Sequence, residues 1–355
     1  MKILITGATG YLGRSAAEAL VAHGHQVLAL ARSQRSADTV ESRGLEPVLG
    51  DFSDPASLQA AITSSRPDAV VSTASVGASQ GDTAATFARD RDAVHAMQQA
   101  LAASGAALVF TSGSAVFGSF NAGNANPAVF TEDSPLPLPT TTLAPPDAHV
   151  PAMIVSGVGE AMAARVETER TVLADTQVHG IVVRPGLVYG RGGNSDIAFL
   201  IARARARGGA GHWGPGETTQ SFVHVDDLAE LYCLAVEDAP PGAILHATID
   251  DVTQRELARA ISRMVGVGDH SEPLTFAEML GMNTPIRLGL ALAGRLPPRM
   301  RRSINNRFAP PTSFGSGISM SLNKRLSSER TRQLTGWKPS QRDILNDIEH
   351  GSYAT

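Results

Sequence analysis

The chain has 355 residues, which suits one large domain or two intimately packed ones. A formal net charge of -4 gives no electrostatic reason to expect nucleic acid or an anionic membrane as partner, and 43% hydrophobic against 18% charged residues leaves ample material for a core. The one cysteine, Cys233, excludes an internal disulfide and fits a reducing, cytoplasmic setting; within Leu231–Ala235 it reads as a small buried hydrophobe rather than a nucleophile.

The N-terminal apolar run is too short for a signal peptide and ends in glycine, so Lys2–Thr6 reads as a buried strand. No stretch approaches the roughly 20 apolar residues needed to span a bilayer. A helix follows over Leu12–Ala22, then strands over Gln26–Ala31 and Glu46–Leu49, and a helix over Ala56–Ile62. Ala69–Ser72 reads as a strand, Ala84–Ala103 as a long helix and Ala107–Thr111 as a fifth strand. This alternation implies βαβ units and a parallel sheet. Residues Ser119 to Pro151 break the pattern with prolines at 127, 135, 137, 139, 145, 146 and 151, and read either as a lid or as a decorative insertion. Order returns with a helix over Gly159–Asp175, a strand over Gly180–Arg184 and a turn from Pro185 to Gly190. A helix over Ile197–Arg207 and a strand over Ser221–Val225 come next. Asp226 and Asp227, which suit a cap, open a helix over Leu228–Val236, and Ala243–Ala247 is a strand. Beyond Asp251, helices over Gln254–Val265 and Phe276–Met282 precede a cationic stretch through Arg287, Arg295, Arg299, Arg301, Arg302 and Arg307. That stretch reads as a solvated face, or alternatively as a cover over an anionic or polar ligand.

The most informative segment is Thr6-Gly7-Ala8-Thr9-Gly10-Tyr11-Leu12-Gly13, three glycines spaced by three between a strand and a helix. The first glycine allows the tight turn, the second lets backbone approach a pyrophosphate, and the third lets helix pack on sheet, with the helix N-terminus facing the phosphates. The motif predicts a nicotinamide dinucleotide. After the second strand an NAD reader usually places an acid, but Arg32, Ser33 and Arg35 stand here instead. Guanidinium forks match a phosphate, so these residues are expected to receive the 2′-phosphate of NADPH. Asp51 and Phe52, after the third strand, would flank the adenine. No metal ligand set is expected.

With this motif, the segments Thr111–Gly118, Arg184–Gly190, Phe222–Ala229 and Gly336–Pro339 resemble, in order, the extended and atypical short-chain dehydrogenase/reductases of the epimerase/dehydratase-like group. The resemblance implies an α/β Rossmann-type doubly wound parallel sheet of about seven strands with a smaller C-terminal substrate domain. It places the dinucleotide domain at residues 1–190 and 221–250 and the substrate domain at 191–220 and 251–355, with 119–151 as a possible lid loop. It adds Ala74, Pro185, Gly186 and Val188 to the cofactor-binding residues. It also implies a small aromatic or ketone substrate and a monomer or homodimer.

The family's catalytic set is a Ser or Thr after the fifth strand, then a Tyr and a Lys four residues apart on one helix. The four tyrosines here, Tyr11, Tyr189, Tyr232 and Tyr353, all lie elsewhere. Aligning the helix by its tail puts Ala161 at the Tyr position and Arg165 at the Lys position, while Gly113 falls at the Ser position between Ser112 and Ser114. A general acid typically contributes roughly 10²–10⁴-fold, so its loss weakens hydride transfer without abolishing it. A substrate with an acidic hydroxyl beside its ketone supplies the missing donor, as in aromatic polyketides, and ketoreductases acting on angucyclinones (simocyclinone type) resemble this chain in lacking the Tyr. The leading expectation is an NADPH-dependent ketoreductase in which Thr111, Ser112 and Ser114 polarise the carbonyl and Arg165 holds the ribose. The alternatives are a non-catalytic NADP(H)-binding sensor and, third, a nucleotide-sugar epimerase or dehydratase.

Overall fold

The computed structural model describes residues 1–76, 84–136, 152–279, 318–341 and 343–354. Strands β1 (Lys2–Thr6), β2 (Gln26–Ala31), β3 (Glu46–Leu49), β4 (Ala69–Ser72), β5 (Ala107–Thr111), β6 (His179–Pro185) and β10 (Ile244–Ala247) form one parallel sheet in the order β10-β6-β5-β4-β1-β2-β3. The central strands are apolar on both faces because helices cover both, whereas the edge strand β3 is partly exposed. Alternation along β1 sorts its residues: Ile3 and Ile5 join one core with Val71, Val109 and Ile181, and Leu4 joins the other with Val70, Leu108 and Val182. On the first face lie α1 (Tyr11–Ala22) and α7 (Val225–Glu237). On the second lie α3 (Pro55–Ser65), α4 (Ala84–Leu101) and α5 (Ala152–Ala174).

The expected strands and long helices stand within a few residues of their predicted bounds, except that the helix expected from Gly159 begins seven residues earlier, at Ala152. Helix α2 (Gln34–Glu41) was not expected, because it buries only Ala37 and Val40; a capping box between Ser33 and Ser36 starts it. Residues read as a turn after β6 form β7 (Leu187–Tyr189), which pairs in parallel with β9 (Thr219–His224). Strand β11 (Asp250–Thr253) lies antiparallel on the other edge of β9, and β8 (Gly211–Trp213) pairs with β12 (Glu272–Leu274). A further core forms around α6 (Ser195–Arg207), α8 (Gln254–Met264) and α11 (Ile344–His350). Strands β7 and β9 are the wall between the two cores: Leu187, Tyr189 and Phe222 point one way, Val188 and Val223 the other. Trp337, which the sequence reading put in the second domain, is buried in the first core, and its indole N–H donates to the Asp227 carbonyl at 2.9 Å.

The aspartates at the start of α7 do not cap it. His224 does, its ring accepting from the Asp226 amide at 3.2 Å. Asp227 instead accepts the Ser340 and Gln341 amides at 2.8 and 2.9 Å, fastening the returning C-terminal segment, and Asp226 pairs with Arg191 at 2.7 Å.

Residues Ser319–Ser327 form a strap between the loop after β5 and the second sheet. On one side the Asn323 amide donates to the Ser119 carbonyl at 2.8 Å, and the Phe130 amide to the Arg325 carbonyl at 2.8 Å. On the other, the Ser221 amide donates to the Lys324 carbonyl at 2.9 Å and the Lys324 amide to the Thr219 carbonyl at 3.0 Å. Of the expected lid loop, residues 119–136 are held by these contacts and 137–151 lie outside the described residues, as does the cationic stretch from Arg287 to Arg307. The last expected helix is described only over Phe276–Met279 (α9), and α10 (Glu329–Thr335) leads into Gly336 and Trp337.

Candidate active site

Strands β1 and β4 are neighbours, yet the chain leaves them toward opposite edges of the sheet. Loops diverge at such a switch point and open a crevice at the carboxyl ends of the strands. Gly7 turns out of β1 at φ 79°, and a Cβ there would lie 2.9 Å from Thr73 Oγ1 and 3.1 Å from the Ala74 amide. The β4 end is itself tied down, Thr73 Oγ1 donating to the Thr6 carbonyl at 2.6 Å and the Ala74 amide to Thr6 Oγ1 at 3.2 Å. Gly13 packs against the turn so closely that a Cβ would sit 2.2 Å from the Gly7 carbonyl oxygen.

Helix α1 begins at Gly10 with no side-chain cap and no acid in its first turn, whereas α2, α3, α6, α7 and α8 each have a side-chain cap. Its leading amides, beside the exposed Thr9 and Gly10 and the half-buried Leu12, are thus left for an anion, and a dinucleotide pyrophosphate fits that demand. Tyr11 serves a different end from the one expected of it. Its hydroxyl donates to the Gly190 carbonyl at 2.8 Å, and its ring fills the space beside Gly193.

On the side of β2, Arg32 and Arg35 are exposed and form no ion pair among the described residues. Ser33 Oγ is spent on capping α2, where it accepts the Ser36 amide. Arg43, which the sequence reading missed, reaches from beyond α2 to the Ala8 carbonyl in the glycine turn, at 3.2 Å. No local motif marks it, since α2 itself was not foreseen. Asp51 accepts the Ser53 amide at 2.8 Å, and Phe52 packs partly buried against the second-face core.

On the side of β5, the structure corrects two expectations. Thr111 does not face the crevice: its Oγ1 lies 2.8 Å from the Tyr232 hydroxyl inside the core, and burial pushes that tyrosine up. Arg165 does not reach for a ribose. Its Nη2 donates to the Thr111 and Ser112 carbonyls at 2.7 and 3.0 Å, its Nη1 is 3.5 Å from Asp90, and its guanidinium lies over the rings of Phe87 and Phe110. Asp90 was also missed, because one acid on an amphipathic helix carries no signature. It is fully buried, accepts from Ser75 Oγ at 2.5 Å and the Val76 amide at 2.7 Å, and burial raises it against these bonds and the Arg165 charge.

Ser112 Oγ accepts a long 3.4 Å contact from Arg165 and keeps its own proton to donate. Ser114 opens the 3-10 turn Ser114–Phe117, and its hydroxyl makes no bond to the described residues. Ala161 is buried one helical turn before Arg165. Beyond β6, a Cβ on Gly186 would lie 2.4 Å from the Ser221 carbonyl, Pro185 pairs with Ala247, and the Val188 side chain belongs to the core. Cys233 is buried and its thiol is pushed up to about 12, which agrees with a packing role.

Behind this floor Arg184 forms a buried forked pair with Glu169 of α5 at 2.6–3.2 Å, and its guanidinium lies over Phe117. His246 stands 3.4 Å from Arg184 and edge-on to Phe117. Burial, and then the Arg184 charge, push His246 down to about 3. The folded chain keeps this ring neutral until about pH 3, whereas an unfolded histidine takes up its proton near 6.5. The stabilisation is therefore complete above about pH 6.5 and is lost as the pH falls toward 3. At pH 4.5 the loss is about 2–3 kcal/mol. Urea unfolding at pH 7 and pH 4.5 checks this: His246→Gln should show a shallower fall than wild type, and equal falls would refute it.

A model of the NAD dependent epimerase/dehydratase family matches residues 3–144 and 157–246. The chain is 26% identical over 356 residues to an uncharacterized protein of Saccharomyces cerevisiae, covering 98% of each. It is 29% identical over 353 residues, 96% of each chain, to the 3-diazoavenalumate denitrifying reductase of a Streptomyces species. It is also 29% identical over 268 residues to the 4-hydroxy-2-methyl-3-oxo-4-farnesyl-3,4-dihydroquinoline-1-oxide ketoreductase of Stigmatella aurantiaca, covering 70% of this chain and 68% of that one. Among solved structures, a dTDP-glucose 4,6-dehydratase of Streptomyces venezuelae with NAD and TYD bound superposes with a TM-score of 0.66 and 17% identity, over 100% of this chain and 96% of that one. That likeness is one of fold.

Proposed function

The chain belongs to the NAD dependent epimerase/dehydratase family, and from that premise we propose that it is an NADPH-dependent reductase of a conjugated or aromatic ketone that brings its own proton donor. The observation that carries this reading is the pair Ala161 and Arg165: one has no acidic group, and the other is fastened to the end of β5. Ala161 has no proton to give and Arg165 is spent on the Thr111 and Ser112 carbonyls, so neither residue replaces a tyrosine acid. Bound NADPH would supply the hydride. The exposed Arg32 and Arg35 would hold its 2′-phosphate, and the uncapped start of α1 its pyrophosphate. Ser114 and Ser112 would orient the substrate carbonyl by hydrogen bonds, with Arg165 and Asp90 holding the β5 end in place behind them. The proton would come from a hydroxyl on the substrate or from water. The names of the two bacterial relatives, a ketoreductase and a denitrifying reductase, support reduction of a small conjugated molecule.

The same Ala161 also favours a non-catalytic NADP(H) sensor, and one experiment separates the readings. NADPH and NADH are titrated by nicotinamide fluorescence into wild type and into Arg32→Ala/Arg35→Ala, followed by deuteride transfer to phenolic quinones and aryl ketones. Losing two charge-assisted contacts should weaken NADPH about 100-fold and leave NADH nearly unchanged. Deuterium in the product supports the reductase. Tight NADPH binding with no transfer to any ketone supports the sensor. Equal affinity for both dinucleotides in wild type would overturn the phosphate site.

A further inference from the structure

At the far end of α1 from the glycine turn, His23, His25, Glu230 and Glu237 converge from two separate parts of the chain. His23 closes α1, Gly24 turns at φ 80°, and His25 leads into β2. The turn sets the two imidazoles side by side, with ring centroids 6.4 Å apart and planes 21° from parallel. Glu230 and Glu237 stand two turns apart on α7, on the same face. Glu237 Oε1 is 3.2 Å from His23 Nδ1 and 2.8 Å from His25 Nε2, and one ligand atom from each of the three residues lies within 4.8 Å of the others.

The second nitrogen of His23 is also engaged, with Nε2 3.0 Å from Glu230 Oε2. A neutral imidazole has one N–H, so it can donate to only one of two carboxylates. With oxygens facing both of its nitrogens, His23 requires a second positive centre, either a proton or a cation, on one side. The contact that matches a metal ligand is Nδ1, because Nε2 then donates to Glu230. A carboxylate on the distal nitrogen is the usual way a ligating histidine is oriented and made more basic. Tetrahedral zinc, with bonds of about 2.0–2.2 Å, spaces its ligands by about 3.3–3.6 Å, so small side-chain shifts suffice.

We propose that His23, His25 and Glu237 bind one divalent transition cation of the zinc(II) type, with Glu230 orienting the His23 ring and solvent completing the shell. Imidazole and carboxylate on a half-exposed surface suit zinc over calcium or magnesium, which take oxygen ligands. The ion would join the end of α1 to α7, and so brace the helix whose other end faces the glycine turn. Cys233 lies near His23 and Glu230, but it is buried on the core side of α7 and stays outside the ligand set.

The test is calorimetric titration of the metal-free full chain with zinc chloride, together with thermal unfolding with and without zinc. One equivalent should bind and raise the unfolding temperature. His25→Ala and Glu237→Gln should each remove that isotherm, Glu230→Gln should weaken it about 10–100-fold, and Cys233→Ser should leave it intact. Glu230 and Glu237 lie at the surface and Cys233 is substituted conservatively, whereas the His25 side chain is only 8% exposed, so circular dichroism checks that each variant is folded. No one-to-one binding in wild type, binding that survives Glu237→Gln, or binding lost in Cys233→Ser would each overturn the proposal.

Discussion

Gly13→Ala is expected to weaken dinucleotide binding by about 100-fold or more. A Cβ at this position would stand 2.2 Å from the Gly7 carbonyl oxygen, 2.5 Å from its carbon and 2.7 Å from Thr73 Oγ1. Two of these three atoms are backbone, and the third is bonded to the Thr6 carbonyl, so none can step aside cheaply. Relief requires α1 to move outward by about an ångström, which carries its uncapped amides away from the phosphates. Each charge-assisted bond lost is worth about 1.5–3 kcal/mol, and two account for the change. The displaced packing should also cost about 1–3 kcal/mol of stability. Gly24→Ala is the control: its φ is positive, at 80°, which Gly13 inside α1 does not share, but nothing lies within 4 Å of its Cβ position. It should lose roughly 1 kcal/mol of stability and no affinity. Fluorescence titration and thermal unfolding on the same samples decide the matter, and a Gly13→Ala affinity within threefold of wild type would refute close approach as the reason for the glycine.

The largest stability effect is expected at Glu169. Arg184 is 2% exposed and Glu169 1%, so Glu169→Gln leaves an uncompensated guanidinium charge in the core, with one acceptor of its fork replaced by an NH2 donor. Breaking a buried pair on one side typically costs about 3–5 kcal/mol. Replacing both partners with apolar residues, Glu169→Leu with Arg184→Met, removes the charge as well as the bond and should recover most of that loss. Urea unfolding of the single and double variants gives the comparison. If the double variant is as unstable as Glu169→Gln, packing around Phe117 rather than the stranded charge is responsible.

Most of the sheet was legible in the sequence, because strands buried on both faces leave continuous apolar runs such as Lys2–Thr6 and Ala107–Thr111, and the glycine motif fixes where the first of them ends. Elements built from polar residues were not. Helix α2 owes its start to a serine capping box and buries only two side chains, and β7 hides in a Pro-Gly segment whose neighbours arrive from more than 30 residues away. The candidate site was half legible. Missing tyrosines can be counted from a sequence. That Arg165 turns back onto the Thr111 and Ser112 carbonyls, that Thr111 faces Tyr232, and that Asp90 waits behind both depend on which way side chains point once three helices are packed. Neither spacing nor composition encodes that direction.

The strap through Ser319–Ser327 limits how substrate can enter. Two-domain enzymes often admit ligands by rotating one lobe about a few compliant residues. Here the same nine residues are bonded to the loop that follows β5 and to β9, so any such rotation would have to shear backbone bonds on at least one flank at once. Entry and release therefore fall to smaller rearrangements around a stationary frame. The rate at which product leaves should then depend little on solvent viscosity compared with an enzyme that must swing a whole lobe.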